Sequence, residues 1–371
     1  MFSNRIGTFA LIVGVAAAFP SAQAATAGAV FVMTNGADHN EVIAYARGED
    51  GKLQERARYE TEGRGSGGQT DPLQSQGSLT LSPDGTLLYA VNAGSGNIST
   101  FRVHGPNLSL AGKISSGGSE PVAITQFGSL VYVVNAGAAG DLVGFTVDAS
   151  GRLKEIPNST TFLSGKYTGA ASVAISPDGK YLVVVERGAN TISTFPINAD
   201  GTLGPIVATV SPAPGAFDGQ FTPGGALVVT ETGAVGTLPD SGLSTYTVSA
   251  AGVTAITQSA PTYGDADCWS AITPNGQYVY ADNSGSATVA GFAIGKDGTL
   301  SPIGSTILAT LPAGSANLDM SISRDGAFLY TLDSGTGAIT ILQIAADGTL
   351  KLIGERTDLT PNAGYNGIAA N

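Results

Sequence analysis

One phrase recurs along this chain, and its spacing limits the possible folds more than any other feature. It reads Leu81-Ser82-Pro83-Asp84-Gly85, then Leu87-Leu88-Tyr89-Ala90-Val91-Asn92, then Ile98-Ser99-Thr100-Phe101-Arg102-Val103. It returns at Ile175-Ser176-Pro177-Asp178-Gly179, at Ile272-Thr273-Pro274-Asn275-Gly276 and at Ile322-Ser323-Arg324-Asp325-Gly326. Degenerate copies stand at Phe221-Thr222-Pro223-Gly224-Gly225 and around Gln126-Phe127-Gly128. Pro-Asp-Gly and Asn-Gly steps make tight turns because Asp and Asn bond to nearby backbone and Gly accepts a positive φ. A second turn closes units at Asp50-Gly51, Asp200-Gly201, Asp297-Gly298 and Asp347-Gly348. The polar residue ending each second strand serves as a ruler: Asn35, Asn92, Asn135, Glu186, Glu231, Asn283 and Asp333 lie 43 to 57 residues apart. That spacing gives seven units.

Each unit reads as four short strands joined by three hairpin connections, the pattern of a propeller blade. The expected fold is therefore all-β, a seven-bladed β-propeller of four-stranded antiparallel blades. Residues 25–35 and 334–371 together span one further step of the ruler. The C-terminal run Tyr365 to Asn371 matches the innermost strand of a blade whose other three strands lie at the N-terminus. Closing the ring with both termini in one blade removes exposed sheet edges. The 52 glycines fit this scheme, since many tight turns need a positive φ that only Gly adopts cheaply. Apolar runs such as Tyr181-Leu182-Val183-Val184-Val185 fit strands buried on both faces.

Charge narrows the partners. With 17 Lys and Arg against 29 Asp and Glu, the net charge is −12, which excludes nucleic acid as a partner. One cysteine, Cys268, excludes internal disulfides, and two histidines leave little for a His-based metal site or triad. No cofactor and no metal are expected. Residues 1–24 read as a signal peptide: Arg5, then the apolar stretch Ile6 to Phe19, then Ala22-Gln23-Ala24. Residues 25–371 are expected to form one propeller domain, exported to the periplasm or the extracellular space, with no membrane span after cleavage.

In a four-stranded meander, the loops leading into the innermost strands and those after the second strands share one face, here called upper. The Pro-Asp-Gly turns occupy the lower face. The upper face surrounds a mouth of the central channel, and a small molecule, a glycan or a protein is expected there. Leading segments supply Gln76, Glu120, Asp218, Asp267 with Trp269, and Asp319; second-strand ends supply Glu186, Arg187 and Glu231. Glu231 reads as a general base or as a cap on loop amides, and Asp218 as a second candidate base. Arg187 reads as a clamp for a substrate carboxylate or phosphate, or as an ion-pair partner of Glu186 or Glu231. Trp269 is placed to stack on a ring-shaped ligand or to plug the gap between blades. Asp265, Asp267 and Asp319 offer oxygen ligands for a hard cation, but no Asp-x-Asp-x-Asp-Gly loop accompanies them. Cys268, with no histidine near it in sequence, reads as a small buried apolar residue. Gly63-Arg64-Gly65-Ser66-Gly67-Gly68 matches a dinucleotide fingerprint only in letters, since it joins no strand to a helix. The loop it belongs to, from Thr61 to Ser78, is expected to be a flap over the channel mouth.

Residues 81–101 resemble the repeat of the seven-bladed lactonase family, which includes 6-phosphogluconolactonase-type enzymes and carboxymuconate cyclases. The Ala-Asp-Gly-Thr-Leu endings at Ala199–Leu203 and Ala346–Leu350 add to the likeness, and YVTN-type surface propellers share the phrase. The resemblance covers the mature chain. It implies the propeller fold and, for catalytic members, a His before one inner strand, an Arg-His pair in a neighbour, and a Glu ending that neighbour's second strand. Here those segments read Tyr167-Thr168-Gly169-Ala170-Ala171 and Pro214-Gly215-Ala216-Phe217-Asp218, and only Glu231 agrees. Two functions follow as expectations. One is a non-catalytic exported propeller that binds through the channel mouth. The other is a hydrolase or cyclase for a carboxylated or sugar-derived lactone, with Glu231 or Asp218 as base and Arg187 as clamp.

Overall fold

The Pro-Asp-Gly turns set the register of the strands around them. At Pro83-Asp84-Gly85, Ser82 Oγ donates to Asp84 Oδ1 at 2.6 Å, and Thr86 N and Oγ1 donate to the same oxygen at 3.0 and 2.8 Å. The Asp carboxylate thus ties the turn to both flanking strands, and Leu79–Leu81 pairs antiparallel with Leu87–Asn92. Ser176–Asp178 and Ser323–Asp325 repeat the contact at 2.7 and 2.6 Å.

Repeating this unit gives seven antiparallel sheets in a computed structural model that describes Met1 and residues 27–137, 139–233 and 240–371. Apart from Met1, the expected leader lies outside the described residues. The innermost strands are Ile368–Ala370, Leu79–Leu81, Pro121–Phe127, Ala170–Ile175, Ala216–Phe221, Asp267–Ile272 and Asn317–Ile322. They head blades one to seven in that order. Blade one closes the ring as expected: Ile368–Ala370 pairs with Gly28–Met33 in the register Val30 to Ala370 and Val32 to Ile368. Blade three carries an extra short strand, Thr161–Phe162, beside Asp141–Val147. No helix among the described residues is long and apolar enough to cross a membrane.

In the second strands of blades three, six and seven a tyrosine locks one blade to the next. Tyr132, Tyr280 and Tyr330 donate their hydroxyls to the carbonyls of Gly201, Gly348 and Gly51 at 2.7, 2.9 and 2.9 Å. These three glycines belong to the Asp-Gly turns of the following blades. Gly51 is required twice over: its φ is +78°, and a Cβ there would lie 2.5 Å from the Phe328 ring. The blade gaps are filled by strand residues buried on both sheet faces, including Val183, Val184 and Val185.

Candidate functional site: the central channel

Five of the innermost strands begin with a bulge, at Pro121/Ala123, Ala170/Ser172, Ala216/Gly219, Asp267/Trp269 and Leu318/Met320. An extra residue at these points turns side chains that would otherwise alternate. At the upper end of the channel the 61–78 segment is bonded to the bulges of blades three, four and six. Gln76 N donates to Ala171 O at 2.9 Å. The Gln76 amide then exchanges two bonds with Ser270 of blade six, Nε2 to the carbonyl at 2.7 Å and the Ser270 N–H to Oε1 at 3.0 Å. Trp269 lies beneath this segment, 1% exposed, and its indole N–H donates to Ser75 O at 3.1 Å. Its ring meets Phe217 edge-on at 5.1 Å, and the Arg187 guanidinium sits over Phe217 at 5.9 Å from the ring centre. Arg187 also donates to the Gln74 amide oxygen. The upper mouth is therefore filled by the chain's own side chains, with Trp269 as the plug.

Below the plug the channel opens into a cavity of about 410 Å³ that faces the lower side. Gln76, Ser172, Asp218, Gln220 and Asp319 form its polar inner end, and Leu81, Ile175, Phe221, Ile272 and Ile322 form an apolar collar further out. Asp218 Oδ2 accepts from Ser270 Oγ at 2.8 Å, and the Asp218 N–H donates to Thr230 Oγ1 at 2.9 Å. Asp319, with φ at +56°, accepts from the backbone N–H groups of Met320 and Ile368 at 2.8 and 3.2 Å. Burial raises Asp218 to about 7, against the bonds from Ser270 and the Gly219 amide that favour the carboxylate. Burial likewise raises Asp319 to about 8, with the Asp218 and Asp71 charges adding to it. No Lys, Arg or His stands among the described residues lining the cavity. Near neutral pH this inner end can both donate and accept hydrogen bonds, and it offers nothing to neutralise an anion.

The other acids named from the sequence lie elsewhere. All seven ruler residues are buried, and several fasten the end of one blade to the next. Asn92 Oδ1 accepts from Thr61 Oγ1 at 2.7 Å and from Asn40 Nδ2 at 2.9 Å. Glu186 accepts from Ser164 Oγ at 2.7 Å and from Ser193 Oγ. Glu231 Oε1 accepts from Ser211 and Ser244 at 3.0 and 2.7 Å, and burial holds its pKa above the ordinary value. Arg187 forms no ion pair with Glu186 or Glu231; it points over Phe217 instead. Asp267 is fully buried, with neither carboxyl oxygen bonded to protein, and burial followed by the Glu231 charge holds its pKa far up. Glu120 is exposed on an upper-face loop. The Cys268 thiol is also pushed up, first by burial and then by Asp71, which leaves it protonated and unreactive. Among the described residues no three His, Cys, Asp or Glu side chains group closely enough to hold a metal ion.

Asp71 and Gln220 were not singled out from the sequence. Asp71 sits in the crossing segment, accepts from Gln74 N at 3.0 Å, and is raised to about 7 by burial despite Arg187 nearby. Its signal was the Asp71-Pro72 step inside an otherwise featureless loop. Gln220 Nε2 donates to Ser270 O at 2.7 Å, joining blade five to blade six at the cavity's inner end. Its position four residues after Ala216 carries no local signal.

A family profile described as "Lactonase, 7-bladed beta-propeller" matches residues 29–163, 139–231 and 244–360. The chain belongs to this lactonase family. Among solved structures it is similar to a periplasmic gluconolactonase of Pseudomonas aeruginosa, with 16% identity and a TM-score of 0.68 over 92% of this chain and 99% of that one. A Bacteroides fragilis protein provisionally described as a 6-phosphogluconolactonase shows 19% identity and a TM-score of 0.65 over 95% and 99%. Hydrazine synthase of Kuenenia stuttgartiensis shows 19% identity and a TM-score of 0.56 over 85% and 95%. At these identities the likeness is one of fold. No curated protein matches the chain. Within the lactonase family, then, this member has a blocked upper mouth and an open lower one.

Proposed function

We propose that this member of the lactonase family is an exported binding propeller that takes a small polar molecule, uncharged or positively charged, into the channel from the lower face. The observation that carries the reading is the 410 Å³ cavity, with Asp218, Asp319 and Gln76 at its inner end and no cation in its lining. A phosphorylated or carboxylated ligand would meet two acids and no counter-charge. A hydroxylated ring would find donors, acceptors and an apolar collar for its faces. Export is supported by the leader pattern of residues 1–24 and by the periplasmic location of the Pseudomonas aeruginosa neighbour.

A second reading is hydrolysis of an uncharged lactone, favoured by one observation: Asp218, at about 7, is poised to take a proton from water beside a bound ring. Glu231 and Arg187 would have no part in it, because neither lines the cavity. The test is a panel of sugar lactones, free sugars, polyols and small amines titrated into the mature protein, with heat of binding and lactone turnover both followed. Binding that Asp218→Asn weakens about tenfold or more, and Glu231→Gln leaves intact, supports the first reading. Turnover that rises through pH 7 and disappears in Asp218→Asn supports the second. Binding or turnover indifferent to Asp218→Asn but abolished by Arg187→Ala rejects both and returns the site to the upper face.

A further inference from the structure

Two further concavities adjoin the channel cavity beside its collar. Phe221, which forms part of that collar, also borders a depression of about 360 Å³ between blades four and five, lined by Pro177, Asp178, Tyr181 and Val248. Gly224 and Gly225 border the same depression and also a groove of about 690 Å³ between blades five and six. The groove is lined by Thr222, Thr247, Ile256, Asn275, Gln277 and Lys296 with their neighbours. Three concavities thus adjoin one another, sharing Phe221 or Gly224 and Gly225 as lining.

This adjacency falls where the repeat is degenerate. Blades two, four and seven carry Asp84, Asp178 and Asp325 in their lower turns, and blade six carries Asn275. Blade five has Gly224 at that place, so no acid or amide side chain rises from that position between the two hollows. The lining is aromatic, amide and hydroxyl in character. Phe221 and Tyr181 offer ring faces, while Thr222, Thr247, Asn275 and Gln277 offer short-range hydrogen bonds. The acids along the path are already engaged: Asp178 pairs with Lys180 at 2.9 Å, and Asp297 accepts from Thr299 Oγ1 at 2.7 Å. Lys296 is the one basic residue lining the three concavities among the described residues.

We propose that the ligand is a linear uncharged oligosaccharide: its terminal sugar enters the channel, and the following units cross the blade-five turn into the groove between blades five and six. This rests on the channel reading above and deepens it. Hydroxyl-rich rings match the Phe221 ring face beside the turn and the hydroxyl and amide groups of Thr222, Thr247, Asn275 and Gln277 in the groove, and a chain of sugars has the length that a single channel occupant lacks.

The experiment is calorimetric titration of the mature full-length domain with cello-, malto- and manno-oligosaccharides of one to six units. One series is expected to gain about tenfold or more in affinity from one unit to four, about 1.4 kcal/mol. Gly224→Leu, placed where a Cβ would meet only Thr222 Oγ1 at 3.7 Å, is expected to erase that gain and leave the single sugar's Kd unchanged. Gln277→Ala, a conservative check on folding at an exposed position, is expected to reduce the gain in part. Affinity independent of length, with single-sugar binding still lost in Asp218→Asn, overturns the oligosaccharide but leaves the channel reading standing. Binding of small amines or lactones without any sugar overturns it likewise. Loss of single-sugar and long-chain binding together in Gly224→Leu, with an unchanged melting temperature, also overturns it.

Discussion

The two ends of the central channel are built from the same residue types and put them to opposite use. At the upper end, acids and amides are buried and face one another, and burial raises Asp71, Asp218 and Asp319 to about 7, 7 and 8. At the lower end, aspartates sit in exposed turns and are drawn down by hydroxyl and amide donors, Asp178 to about 2. The upper end holds the blades together with its polar groups and closes itself with Trp269. The lower end satisfies its aspartates locally, within a few residues, and so leaves a mouth open. A charged side chain therefore marks a functional opening less reliably than the fate of its neighbours' hydrogen bonds does.

The plug carries the greatest consequence. Trp269→Ala removes a fully buried ring and leaves Ser75 O without its donor, so a loss of about 3–5 kcal/mol is expected in denaturant unfolding. Ile322→Ala at the lower collar, where the side chain is only part-buried, should cost about 1–2 kcal/mol. Equal losses at the two positions would erase the distinction between a packed upper end and an open lower one.

Next in size is the response to pH, because the two sets of acids act with opposite sign. For Asp218 and Asp319, folded and unfolded chains both hold the proton below about pH 4, so their contribution is fully present there. Between that point and the folded values of about 7 and 8 only the folded chain keeps the proton, and stability falls as pH rises. Asp178 works the other way: its contribution is present above about pH 4 and is lost as pH falls toward about 2. Stability should therefore peak near pH 4–5 and decline toward pH 8. Asp218→Asn should flatten the decline in a thermal melt series from pH 5 to 8. A decline of the same slope in that variant would locate the titrating groups elsewhere.

Gln76→Ala comes third. It leaves the Ser270 N–H unpaired and takes one donor from the Ser270 carbonyl, and a loss of about 1–3 kcal/mol is expected. Exchange of the Ser270 amide proton, slow in the parent and fast in the variant, reads the same contact directly.

The sequence made the scaffold legible because its determinants are local. Pro83-Asp84-Gly85 makes a turn by contacts within five residues, and Tyr365 to Asn371 announces a missing strand by likeness to its repeat mates. The site was legible only in part. Asp218, Asp319 and Gln76, read from the sequence as upper-mouth candidates, line the cavity that opens downward, and that open side depends on Gln76 meeting Ser270, 194 residues away. Asp218 and Asp319 also lie at bulges, which turn side chains against the two-residue alternation by which a strand is read. Glu186 and Glu231 stood out in the sequence as charges where the repeat prefers Asn. Only the serines brought beside them by neighbouring strands reveal that they fasten blades.

The smallest effect isolates the lower set most cleanly. Asp84 accepts three hydrogen bonds in its turn, and the Ser82 hydroxyl, followed by the Thr86 amide, holds its carboxyl below the ordinary value. Asp84→Ala should cost about 1 kcal/mol, because solvent takes up most of the freed donors. The loss should be the same at pH 5 and pH 8, since a lowered carboxyl is ionised at both. Asp218→Asn, measured alongside by urea unfolding, should change its effect over that interval and become relatively stabilising at the higher pH. An Asp84→Ala penalty that grows from pH 5 to pH 8 would mean that the turn acid titrates with the buried ones, and the two ends of the channel would then share a single electrostatic field.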